Sequence, residues 1–186
     1  MRLFVAINLP GEERDRIAAA TLAVRESGLP VHWGSSDSYH LTLRFLGEVE
    51  DGVARQVASV VSEVAASHVA FPLRLRGAGV FPTPRQPTVW WLGIEPSQAL
   101  RCLQQDLERG LDGLGFAPEQ RPFAPHLTLG RTARDAVRAA LAGAASLLQS
   151  LQYDRTITVE TVDLMRSHLS PRGARHECIR AARLRP

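Results

Sequence analysis

Hydrophobic residues along the chain follow two periodic patterns, one typical of strands and one typical of helices. Residues 2–9 form an almost continuous apolar run closed by a Pro-Gly pair, which predicts a buried strand. Residues 12–26 carry apolar side chains at helical spacing, with acidic residues in the first turn that complement the helix dipole, so a helix is expected there. Residues 31–33 and 39–46 are predicted to be extended on either side of a polar turn.

The pattern then continues and starts again. Asp51 is expected to cap a helix that carries valines as far as Val64, and residues 71–81 alternate as a strand. The second round is predicted as follows: a strand at 88–94, a helix capped by Ser97 and running to about Gly110, an extended segment at 123–131, a helix at 135–149, a strand at 156–167 and a last strand at 176–184.

Landmarks of the two rounds are separated by a constant distance. The separation is 86 residues for each of three pairs: Pro10 and Pro96, His40 and His126, Phe71 and Ile157. We infer an internal duplication of approximately residues 1–86 and 87–172, followed by a C-terminal strand. Few identical side chains survive outside the repeated tetrapeptide HLTL, so coincidence is the alternative, but three aligned landmarks favour duplication.

These elements predict an α+β fold. We expect residues 1–186 to form one domain of two interleaved lobes related by an approximate two-fold axis, with antiparallel sheets lining a central cleft and helices packed outside. Equivalent residues of the two lobes would then face each other across the cleft.

The tetrapeptide HLTL occurs at residues 40–43 and again at 126–129. Because side chains alternate along a strand, the two leucines of each copy are expected to point into a core while the histidine and threonine point to the opposite face. Two such faces would surround a small anionic group with two imidazoles, from His40 and His126, and two hydroxyls, from Thr42 and Thr128.

This set of side chains suits the hydrolysis of a phosphate ester. One imidazole can accept the proton of an attacking water while the other protonates the leaving oxygen, since the unperturbed pKa of about 6.5 allows both forms near neutral pH. Threonine hydroxyls can donate to the phosphoryl oxygens. A single HLTL is more often an ordinary strand fragment, and the repetition is what favours catalysis. Metal binding is disfavoured, because only two histidines converge and no HExxH or clustered Cys/His spacing is present.

The segments HLTLRFLGEV and FAPHLTLGR, with RLFVAINLP before them and SHLSPRG after them, resemble the two-histidine (2H) phosphoesterase superfamily. Within it, the sequence is most similar to RNA 2',3'-cyclic phosphodiesterases, historically named 2'-5' RNA ligases. The resemblance implies hydrolysis of a terminal 2',3'-cyclic phosphate to a 2'-phosphomonoester without a metal or other cofactor. It also implies that RNA or oligonucleotide ends are the partner.

The resemblance implies a role for five residues. His40 and His126 would form the acid–base pair, Thr42 and Thr128 would hold the phosphate, and Arg131 matches a phosphate-binding arginine that follows the second motif. We assign the base to His126 and the acid to His40, although the near symmetry of the motifs leaves this order open.

An arginine follows each motif, but the two arginines are expected on different faces of their strands relative to the motif histidine. Arg131 would point with the leucines on a regular strand, but a bulge at Gly130 could turn it into the cleft. Arg44 shares parity with His40, so it is either a second guanidinium of the cleft or, slightly favoured, a solvent-facing residue at a strand end.

Other candidates carry a weaker signal. His176 stands where the resembled family often has a tyrosine; it could stack on a base, but a strand-surface histidine is the simpler interpretation. Trp33, Trp90 and Trp91 could stack on nucleotides, although Trp90 and Trp91 lie in an apolar strand and at least one is expected in the core. Phe45 and Phe123 could border a base pocket or simply pack. His32, His68 and His168 are interpreted as structural.

Composition adds limited information about partners and location. The formal charge of +3 permits an anionic partner, but all 22 basic residues are arginine, a bias that base composition of the genome can produce, so it is weak evidence for nucleic-acid binding. Cys102 and Cys178 form no CxxC pair and are predicted to be reduced thiols of a cytoplasmic protein. The N-terminal apolar run is too short to span a bilayer. No membrane partner is therefore expected, and a monomer is expected because the duplication already supplies both halves of the site.

Two other functions remain open from the sequence. The first is another reaction of the same superfamily, either 2'-5' ligation of RNA ends or opening of a small cyclic nucleotide. The second belongs to a different class, a non-catalytic module that binds RNA ends.

Overall fold

The computed structural model describes residues 1–141, 143–170 and 173–186. Within them the strands are β1 (Arg2–Asn8), β2 (Val31–Trp33), β3 (His40–Glu48), β4 (Phe71–Thr83), β5 (Gln86–Ile94), β6 (His126–Thr132), β7 (Asp154–Val159), β8 (Thr161–Ser170) and β9 (Gly173–Arg183). The α-helices are α1 (Gly11–Ala20), α2 (Leu22–Arg25), α3 (Asp51–Ser67), α4 (Gln98–Asp112) and α5 (Ala144–Gln149). The α+β class predicted from the sequence is confirmed.

The strands form one antiparallel sheet in the order β7-β4-β5-β6-β3-β1-β8-β9, with β2 paired to β6. The sheet has two halves, β3-β1-β8-β9 and β6-β5-β4-β7, and the ladder between them consists of a single residue pair, Leu41 with Leu127. The two sheets expected from the sequence are therefore joined edge to edge at the two HLTL segments.

The two halves exchange strands. β4 comes from the first sequence half but pairs with β5, and β8 comes from the second half but pairs with β1. This exchange is the arrangement that the interleaved-lobe hypothesis requires. The duplication of residues 1–86 and 87–172 itself remains a prediction, and Pro171 and Arg172 lie outside the described residues.

The helices pack on one face of the sheet. In α4 the leucines at 100, 103, 107 and 111 recur every three or four residues and are fully buried. They share a core with α3 and with the inward residues of both halves of the sheet, including Leu41 and Leu127. The opposite face of β1 and β8 carries a separate small cluster of Phe4, Ala6 and Met165. We refer to this second face, away from the helices, as the open face.

One strand prediction needs correction. Residues 156–167 are not one strand, because β7 ends at Val159 and β8 begins at Thr161, and the two strands lie in opposite halves of the sheet. The inward apolar positions change parity across Glu160, from Ile157 and Val159 to Val162 and Leu164, and this change was a signal of the break.

Three helix predictions also differ in detail. The helix expected at 12–26 is divided at Thr21, whose hydroxyl donates to the carbonyl of Ile17 at 2.8 Å. Asp51 is the first residue of α3 rather than its cap, which is Glu50 and makes no side-chain capping bond. The helix expected at 135–149 is reduced to a 3-10 turn at Arg138–Leu141 and to α5, with Ala142 outside the described residues. The Ser97 cap is confirmed, since its hydroxyl accepts from the Leu100 amide at 3.2 Å.

No helix in the described ranges has the length and apolar content that crossing a membrane requires.

Candidate active site

The two HLTL segments meet at the junction of the sheet halves. Leu41 and Leu127 are direct antiparallel partners, and both are buried in the core on the helix side. Extending that register by one residue brings His40 opposite Thr128 and Thr42 opposite His126, with all four side chains on the open face. The predicted convergence of two imidazoles and two hydroxyls from the two halves is therefore consistent with the strand pairing.

The imidazole of His126 is oriented by a backbone carbonyl just before the start of β6. Its Nδ1 lies 2.7 Å from the carbonyl oxygen of Ala124, and since a carbonyl can only accept, Nδ1 carries the hydrogen. The Nε2 atom is left with its lone pair and can accept a proton. At His40, a backbone hydrogen bond from the ring to Ser38 fulfils the same function, and Ser38 and Ala124 are again 86 residues apart.

His40 lies in an aromatic environment. Its ring centroid is 4.9 Å from that of Phe4 and 5.2 Å from that of His176, which meets it edge to face. Burial is the largest cause that lowers the pKa of His40, to about 4; the electrostatic effects of the neighbouring His176 and His126 rings also lower it, and the hydrogen bond to Ser38 opposes them. Without a bound anion, His40 is therefore neutral at pH 7.

The contact of His176 with His40 was not expected from the sequence. His176 is half-buried, and its ring also meets Phe4 edge to face at 5.0 Å. Burial lowers its pKa, which favours the neutral form. His176 thus lies half-buried on the strand surface and borders the candidate site, which the sequence did not indicate.

The bulge anticipated at Gly130 is present. The pairing of β5 with β6 shifts between Trp90 and Trp91, so that Gly130 lies opposite Trp90 and Arg131 lies opposite Val89. The shift restores Arg131 to the face that carries Thr128, and the side chain of Arg131 is exposed there. Its role in binding phosphate remains a prediction.

Arg44 fits neither interpretation made from the sequence. It is only 8% exposed, and it lies between Glu108 of α4 and Glu119, with nitrogen–oxygen distances of 3.6 Å to each. It also donates to the carbonyl of Ala117. The pairing of β1 with β3 shifts between Val5 and Ala6, which leaves Leu43 and Arg44 together opposite Val5 and turns Arg44 to the helix side.

The remaining aromatic candidates divide between the core and the open face. Trp90 is fully buried, packs against Trp33 and donates from Nε1 to the Thr132 hydroxyl at 2.9 Å, so the expected core tryptophan is identified. Trp91 is half-buried on the open face. Phe45 is 61% exposed and contacts Phe4 at 5.9 Å between ring centroids.

The other histidines lie apart from the HLTL pair, with one exception. His68 bonds to Asp106 and His168 to Glu177, each at 2.8 Å, which agrees with structural roles. His32 is exposed in β2 directly across from Arg131 and therefore borders the same face. Phe81, which sequence reasoning missed, meets His126 edge to face at 5.1 Å. In the described part of the chain, no group of three His, Cys, Asp or Glu side chains is placed to hold a metal ion.

Similar proteins are known for nearly the whole chain. A family model described as the 2'-5' RNA ligase superfamily matches residues 16–171, a span that includes all five residues predicted for the site. The RNA 2',3'-cyclic phosphodiesterase of Methanothermobacter thermautotrophicus is 34% identical over 173 residues, covering 93% of this chain and 93% of that protein.

Solved structures share the fold. The structure of TT0787 from Thermus thermophilus has a TM-score of 0.86 and 28% identity, covering 100% of this chain and 98% of that one. Escherichia coli LigT complexed with 3'-AMP has a TM-score of 0.79 and 26% identity, covering 98% of this chain and 97% of that one.

Proposed function

Because the chain belongs to the 2'-5' RNA ligase superfamily, we propose that it hydrolyses the 2',3'-cyclic phosphate of an RNA end to a 2'-phosphomonoester, with two imidazoles as acid and base and no metal ion. The pairing of Leu41 with Leu127 is the observation that carries this proposal, since it sets His40 and His126 on one face at the junction. The names of the relatives support the same chemistry, as does the binding of 3'-AMP by LigT.

In the proposed reaction, a water oxygen attacks phosphorus and gives its proton to Nε2 of His126. The bond between phosphorus and the 3'-oxygen breaks, and that oxygen receives a proton from His40. One water is consumed, and the products are a 2'-phosphomonoester and a free 3'-hydroxyl. Thr42, Thr128 and Arg131 donate hydrogen bonds to the non-bridging oxygens as negative charge grows on them.

The order of the two histidines needs an energetic argument, since His40 must be protonated to act as the acid and its pKa is about 4. A phosphodiester anion about 4 Å away, at an effective dielectric constant of about 20, favours the protonated form by about 4 kcal/mol. At about 1.4 kcal/mol per tenfold change in protonation, that raises the pKa of His40 to near neutrality. Substrate binding would thus charge His40 at the moment a proton donor is needed.

Hydrolysis is tested with an oligonucleotide that ends in a 2',3'-cyclic phosphate, in excess chelator. We expect conversion to a 2'-phosphate end, and a loss of about 10²- to 10⁴-fold in kcat for both His40→Ala and His126→Ala. His168→Ala, which removes a histidine outside the site, is the matched control and should retain activity. Inhibition by the chelator would reject the metal-free mechanism, and binding without turnover would favour an RNA-end binding module.

The order of acid and base is tested by changing the leaving group. In a 3'-deoxynucleoside 2'-(p-nitrophenyl phosphate), nitrophenolate replaces the 3'-oxygen and departs without a proton. His40→Ala should then approach the rate of the unmodified protein, while His126→Ala should remain about 10²- to 10⁴-fold slower. Rescue of His126→Ala instead would reverse the two roles.

A further inference from the structure

A pocket lies beside His126 on the open face, and apart from His126 its walls contain none of the predicted catalytic or phosphate-binding residues. Its volume is about 560 Å³, and its walls include Phe81, Trp91, Phe123 and His126. This space is directly continuous with the imidazole proposed to activate water. A group of the substrate bound in this pocket would be covalently linked to the phosphate that reacts beside His126.

Trp91 lies flat on the sheet within this pocket. A Cβ placed on Gly79, its cross-strand neighbour, would approach Cζ2 of the indole to 2.3 Å, and one placed on Gly93 would approach Cζ3 to 3.4 Å. The indole therefore occupies the space where a side chain at Gly79 would stand, whereas at Gly93 the closest atom is the carbonyl oxygen of Arg76 at 2.3 Å. The indole covers Gly79, and Trp91 is one of the residues that line the pocket.

Phe81 continues this aromatic surface towards the candidate catalytic residues. Its ring centroid lies 5.1 Å from that of Trp91 with an angle of 34° between the planes, and 5.1 Å from that of His126 with an angle of 83°. The pocket thus offers an aromatic surface that extends from the indole to the imidazole.

The rim of the pocket is polar and carries both signs of charge. Arg76 and Glu95 are 60% and 50% exposed, and both line the opening. Within the described residues, Arg76 makes one ion pair, 3.8 Å to Asp154, which leaves donors of its guanidinium available, and Glu95 pairs with Arg74 at 3.3 Å. A planar ligand on Trp91 would meet a donor and an acceptor at its edge.

We propose that this pocket binds a nucleobase of the RNA substrate, stacked on Trp91. The inference rests on the proposed function for the substrate class. A nucleobase has two apolar faces and a hydrogen-bonding edge, which matches a flat indole bordered by Arg76 and Glu95. The base belongs either to the terminal nucleotide or to its neighbour.

The test compares ligands with and without a base. Affinities are measured by calorimetry for 2'-AMP and for a dinucleotide with a terminal 2'-phosphate, each beside its abasic counterpart. Trp91→Ala should weaken binding of the base-containing ligands by about tenfold to a hundredfold and leave the abasic ligands unchanged. A loss with 2'-AMP assigns the terminal base, and a loss with the dinucleotide alone assigns its neighbour.

Two further variants separate stacking from folding. Trp91→Phe should retain most of the affinity, because it keeps an aromatic face. Gly79→Ala should lift the indole from the sheet and reproduce the loss seen with Trp91→Ala, and circular dichroism verifies that each variant is folded. Leu22→Ala, which truncates an exposed side chain on α2, is the control.

Several results would overturn the inference. Equal weakening of base-containing and abasic ligands, no weakening at all, or a base-dependent loss in Phe45→Ala but not in Trp91→Ala would each exclude the pocket as the base site. These affinities require no turnover, so failure of the wild-type protein to hydrolyse a cyclic phosphate would reject the proposed function separately.

Discussion

At the scale of single residues, the two arginines that follow the HLTL segments show how a bulge changes which face a side chain occupies. Arg44 has the strand parity of His40 but is buried against Glu108 and Glu119, whereas Arg131 has the opposite parity but lies on the face of Thr128. The bulge could be predicted at Gly130, because glycine favours it. In β3 the corresponding residue is Arg44 itself, so nothing in the sequence indicated the shift.

The two arginines should consequently respond to mutation in different ways. Arg131→Ala should lower kcat/KM for a cyclic phosphate substrate by about tenfold to a hundredfold, the value of one charge-assisted hydrogen bond, with little change in the free energy of unfolding. Arg44→Ala should lower that free energy by about 1–3 kcal/mol, because the Ala117 carbonyl and two carboxylates lose their partner. Steady-state kinetics and urea unfolding of both variants measure the contrast.

Arg131→Lys is the control for charge. It should recover part of the lost activity because lysine keeps the positive charge, and only part because lysine cannot donate in the bidentate geometry. A result in which Arg44→Ala abolishes activity in a fully folded protein would instead assign Arg44 a role in the cleft. Unchanged kinetics in Arg131→Ala would remove that residue from phosphate binding.

The repeated motif predicted the paired histidines and threonines, but it gave no information on the side chains around them. Phe81 reaches His126 from β4, and His176 reaches His40 from β9 across two intervening strands. Such contacts depend on which strands lie side by side. Hydrophobic periodicity gives the face of each residue on its own strand, and it contains no information on strand order.

At the scale of elements, the strands and long helices were predictable because their apolar positions are regular. Two of the missed boundaries have local reasons. At Thr21 the hydroxyl bonds to the carbonyl of Ile17 and divides a helix whose apolar spacing continues. At Glu160 two strands of the same composition follow each other with one residue between them, and only the change of parity separates them.

At the scale of the whole molecule, the candidate site lies where the two halves of the sheet are connected by one residue pair. The halves also share a continuous core, since the buried leucines of α4 belong to one cluster with inward residues of β1 and β3 and of β5 and β6. The geometry of a site at this junction requires the two halves of the sheet to keep a fixed position relative to each other. We therefore expect the halves to unfold together as one cooperative unit.

Leu127 is the residue that best tests this cooperativity, because it is fully buried and supplies one side of the pair that joins the halves. Leu127→Ala should destabilise the protein by about 2–5 kcal/mol, since the lost contacts and the residual cavity both contribute. For a chain of this size, that lowers the melting temperature by about 5–15 °C, within a single transition. Ile179→Ala, at a 44% exposed position of β9, is the control and should change the stability by less than about 0.5 kcal/mol. Thermal unfolding followed by near- and far-ultraviolet circular dichroism measures both variants. Two separated transitions would show that the halves fold independently and would contradict a shared core.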